Sequence, residues 1–177
     1  MTLIITKRFI EKVYVLELGN MIKEHPYLSF IIMGLGIEFL GKCIDKELKT
    51  WNTKGRSKRD FENAIKRIPS LQKYKHYLKK YSLYSSFRCG MAHASATGCS
   101  ITLSSKSERH HLHEADHRLN LKVEDFYNDF KDACLHIIND DDFSVDDKIN
   151  KPFLEVPGDD FNSGTDAISG QTFSLHS

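Results

Sequence analysis

No C-x2-C pair, no glycine-rich phosphate loop, no G-x-S-x-G elbow and no H-E-x-x-H pair occurs in this 177-residue chain. Zinc ribbons, P-loop enzymes, α/β-hydrolases and zinc peptidases are left without their usual marks. The four cysteines, Cys43, Cys89, Cys99 and Cys134, are scattered. They read as small core residues or free thiols of a reducing compartment. An excess of one charge is also missing. A net of +1 gives no global field that would steer nucleic acid. The most apolar run, Tyr27–Leu40, is short for a bilayer span and contains Glu38. Lys7 and Arg8 lie near the start, with no apolar leader and no small-residue cleavage site. These absences predict a cytoplasmic protein with no membrane anchor, no metal and no cofactor.

What is present is the profile of a soluble globular protein, 40% apolar and 28% charged. The near-neutral total hides an asymmetry. Lys46–Lys80 carries twelve Lys and Arg against three acids, and Asn139–Asp160 carries eight acids against two lysines. A basic segment of this kind gathers polyanions, or else is a solvated helix surface. Within it, Lys73, Lys75, Lys79 and Lys80 alternate with tyrosines and are candidate RNA-binding residues.

Helical spacing governs most of the chain. Apolar positions in Phe9–Lys23 recur at helical steps. Pro26 suits the first turn of a second helix running to about Leu48, apolar nearly all round and therefore central and buried. Gly34, Gly36 and Gly41 along it imply close approach of neighbours. Ser57 and Asp60 suggest a capped helix over Lys58–Arg67. Ser70 then opens a long helix reaching Ala94, and Glu124–Asn139 forms a closing one that stops before three aspartates. Ile101–Leu103 and Leu119–Val123 alternate as strands do, which predicts a small β-hairpin around a polar loop. That loop holds His110, His111, His113 and His117, without the cysteine or carboxylate partners of a known zinc site. The expected architecture is an all-α bundle over residues 1–150 with this hairpin inserted. An ordered C-terminal arm over 151–177 would pack through Phe153, Phe161, Ile168 and Phe173.

Ser86-Phe87-Arg88-Cys89-Gly90-Met91-Ala92-His93 is the most informative stretch. Arg88 offers a permanent planar cation for a phosphate, and His93 offers proton transfer near neutral pH. Attack of a ribose 2′-hydroxyl on its own phosphate needs a base, an acid and a cation, and no metal. On a regular α-helix, residues five apart are turned by roughly 140°, so this pair would not share a face unless the helix ends or distorts. Glu38, alone in the most apolar helix, is a costly carboxylate unless paired, and it either supports Arg88 or His93 from below or makes a structural ion pair.

The Arg-x4-His spacing resembles the signature of the HEPN superfamily, small helical domains that include ribonucleases of toxin–antitoxin, phage-defence and CRISPR systems. Tyr84–His93 also resembles the L-R-x-G-x-x-H stretch of bacterial members, with Phe87 in the leucine place. Many active members carry Asn, Asp or His directly after the arginine, where this chain has Cys89, a weak donor. The resemblance implies a HEPN-like bundle and a homodimer that builds one cleft from two motifs. It further implies a metal-independent endoribonuclease of toxin or defence type, with RNA as substrate and an antitoxin or other protein as possible partner. Arg88 and His93 would be catalytic, with Glu38 and Cys89 supporting. The alternative is a catalytically silent HEPN-like scaffold that binds nucleic acid, nucleotide or protein. An open Arg88–His93 cleft at a two-fold interface speaks for the enzyme, and Arg88 buried against Glu38 speaks for the scaffold.

Overall fold

The computed structural model describes residues 2–3, 6–51, 54–106, 108–141 and 155–156. Helices dominate them, with a small three-stranded sheet to one side. The first helix is continuous but changes winding: α1 (Thr6–Phe9), a π-wound stretch (Ile10–Glu17) and α2 (Leu18–Met21). Pro26 occupies the first turn of α3 (Pro26–Cys43), as its missing N–H and fixed φ allow. α3 is the central element and packs on α4 (Ser57–Arg67), on a π-helix (Tyr84–Ala94) and on α6 (Val123–Asn139). Phe30, Met33, Ile37 and Leu40 of α3 are buried among Phe61, Phe87, Phe126 and Phe130.

Glycines set how close these helices come. A Cβ on Gly41 would run into the backbone of Asp60 in α4, and one on Gly34 would press on the Phe87 ring at 3.3 Å. The expected close approach is therefore real, and it seats α3 directly against the motif-bearing helix. α3 is less enclosed than its composition predicts, because Tyr27, Leu28 and Leu35 are exposed. By length and composition alone it would pass for a membrane span. In this fold it serves as the core helix.

Four expectations need correction. The second helix stops at Cys43, not near Leu48, because Asp45 turns to accept the Glu47 N–H (3.1 Å) and pairs with Arg56. The Ser57–Asp60 capping box is not made, since the Asp60 carboxylate accepts from Arg56 instead (3.1 Å). The single Ser70–Ala94 helix is three pieces: a 3-10 turn (Pro69–Tyr74), α5 (Tyr77–Lys80) and the π-helix. Ser82, at φ +48, breaks the run. The break lets Leu71 and Tyr74 before it and Phe87 and Met91 after it all be buried, with Tyr74 and Phe87 both meeting the Phe126 ring at 5.3 Å. Finally, β2 (Ile101–Ser104) and β4 (Arg118–Lys122) do pair, but in parallel. The hairpin is instead β3 (Glu114–Ala115) with β4, turned by Asp116 and His117, both at positive φ as a type I′ turn requires.

α6 ends before the aspartates as expected, and Lys7 reaches the Asp140 carbonyl there (3.2 Å). Of the C-terminal arm, β5 (Glu155–Val156) pairs antiparallel with β1 (Thr2–Leu3). Phe153, Phe161, Ile168 and Phe173 lie outside the described residues.

Candidate functional site

Arg88 and Glu38 form an ion pair in which both side chains are nearly buried, 11% and 9% exposed. α3 presents the carboxylate and the π-helix presents the guanidinium, across the contact that Gly34 permits. Lys42, one turn on from Glu38, approaches its other oxygen at 3.8 Å, so one carboxylate serves two cations. The Arg88 guanidinium also sits 5.8 Å from the centre of the Tyr84 ring. Its Nε is buried with no hydrogen-bond partner among the described residues. Burial pushes the Tyr84 phenol up to about 12, and a hydrogen bond with the half-buried Cys89 adds to the rise.

The winding of this helix changes the relation of Arg88 to His93. In a π-helix the bond runs from i to i+5, and about 4.4 residues make each turn. Residues five apart are then rotated by only roughly 50°, against roughly 140° in an α-helix. Arg88 and His93 are such a pair, within Tyr84–Ala94. His93 is exposed near the open end, where Arg88 is not. The end itself is pinned. Ser95 adopts φ +49, its carbonyl accepts from the Tyr27 hydroxyl, and the Gly98 N–H donates to the Ser86 carbonyl (2.7 Å). Gly90 would allow a local distortion, but the winding departs from α over the whole segment.

The four candidate RNA-binding lysines do not act as one group. Lys73 is held by Asp129 (2.7 Å) and Lys80 by Glu114. Hydrogen bonds from Lys80 and from Tyr81 (2.5 Å) keep the Glu114 carboxyl below its ordinary value. Lys75 and Lys79 point elsewhere, into a cleft beside Tyr84.

Sequence reading missed a buried polar chain. The Lys122 N–H donates to His111 Nδ1 (3.0 Å), which leaves the proton on Nε2. His111 and the Tyr74 hydroxyl lie 2.6 Å apart, and Tyr74 donates to Asp129 Oδ2 (2.6 Å). Burial lowers the His111 pKa despite the neighbouring Asp129. This one histidine of the loop is structural, tying it to α6. Among the described residues no group of three or more His, Cys, Asp or Glu is placed to hold a metal ion. No protein-family model, no curated protein and no solved structure matches the chain.

Proposed function

We propose that this chain is a HEPN-like domain that cleaves RNA without a metal, as a homodimer, in a toxin or defence role in the cytoplasm. The observation that supports the reading is the π-winding of Tyr84–Ala94, in which residues five apart, as Arg88 and His93 are, differ by only roughly 50° around the axis. In the proposed reaction a histidine takes the 2′-hydroxyl proton, and that oxygen attacks the adjacent phosphorus in line. A second proton donor releases the 5′-oxygen, leaving a 2′,3′-cyclic phosphate and a 5′-hydroxyl. His93 supplies one of these roles and the partner's His93 the other. Arg88 holds the phosphate oxygens. A guanidinium has five N–H groups, so the contact with Glu38 orients it without using them all.

The second reading, a silent scaffold that binds RNA or a protein, rests on the same pair. An arginine only 11% exposed and matched to a carboxylate gives less charge to a phosphate than a free one. Incubation of single-stranded RNA with the protein in excess EDTA separates the two. The enzyme yields fragments ending in cyclic phosphate and spares DNA. A protein that binds RNA and yields none is the scaffold.

A further inference from the structure

A cleft of about 500 Å³ opens between α4, α5 and the start of the π-helix. Lys58 and Lys66 of α4 line one side, Lys75 and Lys79 the other, with Leu78 and Tyr84 between them. The carboxylate in it, Glu62, is taken by Lys66 at 2.6 Å and approached by Lys58 at 4.0 Å. Lys75 and Lys79 are exposed, stand four apart, and have no ion pair among the described residues. Four ammonium groups around one concavity with a single carboxylate make a site for a polyanion. Tyr84 gives it a direction, because the same ring that lines the cleft lies under the Arg88 guanidinium.

We propose that this cleft is the track along which a single strand of RNA reaches Arg88. Lys75 and Lys79 take successive backbone phosphates, and Leu78 with the Tyr84 ring meets an unpaired base. The assignment rests on the ribonuclease reading for its destination but not for its affinity. Unlike Lys73 and Lys80, which are already engaged, these lysines gain a partner only when the strand arrives.

The test uses the full chain carrying His93→Ala, so that the probe stays whole, and a fluorescein-labelled oligouridine measured by anisotropy between 50 and 200 mM KCl. Adding Lys75→Ala and Lys79→Ala should weaken binding about tenfold and flatten the slope of log affinity on log salt by about 1.4, or about 0.7 per lysine on a single strand. Lys23→Ala with Lys49→Ala, an equal loss of charge elsewhere, should leave affinity within twofold. Against the wild-type background the cleft pair should raise KM and leave kcat unchanged. Equal losses in both doubles, no loss in the cleft double, or equally tight binding of duplex RNA would overturn the track. If wild type never cleaves but the cleft double still loses binding selectively, the ribonuclease reading falls and the track stands.

Discussion

Glu38 and Arg88 decide how the site is read, and their pairing sets what mutation can report. Removing one member of a nearly buried ion pair costs roughly 3–5 kcal/mol when the other charge is left alone, and here Lys42 stays near Glu38 to soften the loss. Arg88→Ala should therefore lose about 3 kcal/mol of stability in urea unfolding. The double variant Glu38→Leu with Arg88→Leu should recover part of it, since the Arg88 site then holds two apolar groups and only Lys42, 20% exposed, loses a partner. An additive double loss would show that the two side chains are not coupled. Because Arg88→Ala confounds folding with chemistry, the more informative change for activity is Arg88→Lys. It keeps the positive charge and removes the planar fork, and should cut cleavage while the fold persists. The presence of Glu38 in an apolar helix was legible from sequence as a carboxylate that needs a cation. Which cation it takes was not, because that depends on Gly34 letting two helices approach.

At the scale of elements, helix propensity and packing give opposite predictions at Gly41. Alanine in a helix interior gains up to about 1 kcal/mol over glycine. Here the added methyl meets the backbone of Asp60, so Gly41→Ala should lower the melting temperature. A rise would contradict the α3–α4 contact. The chain from His111 to Asp129 makes a second prediction. The folded-state pKa of His111 is lowered, so as pH falls below the ordinary 6.5 the unfolded chain binds the proton first. Stability should drop there until pH passes below the folded-state value. His111→Phe should flatten that part of the stability-versus-pH curve while lowering the plateau, because the Lys122 N–H loses its acceptor. The central role of α3 and most helix positions were readable from apolar spacing, and the stop before Asp140 from the aspartates that disfavour a helix C-terminus. The interruptions were not. Ser82, Asp116 and His117 adopt positive φ without being glycine, and β2 meets β4 in parallel only because β3 folds back between them in sequence. The π-winding has no mark in composition, and it is the feature that reduces the angular offset of residues five apart, Arg88 and His93 among them.

For the whole molecule, the proposal requires two copies. A single protomer supplies one exposed histidine in the motif and one anchored arginine, whereas in-line cleavage uses both a base and an acid. Light scattering at micromolar concentration should report a dimer, and a strict monomer would leave the site half built. The pairing of Glu155–Val156 with Thr2–Leu3 ties the two ends of the described chain together. Removing residues 151–177 should therefore lower thermal stability, and an unchanged melting temperature would show that this strand pair adds nothing. The central claim is that His93 moves a proton in a metal-free cleavage of RNA. Single-turnover cleavage of one single-stranded RNA in excess EDTA, by wild type and by His93→Ala side by side, tests it most directly. The account predicts a rate loss of roughly 10²–10⁴ in the variant, with RNA affinity within a few-fold of wild type. Equal cleavage by the two proteins would contradict it.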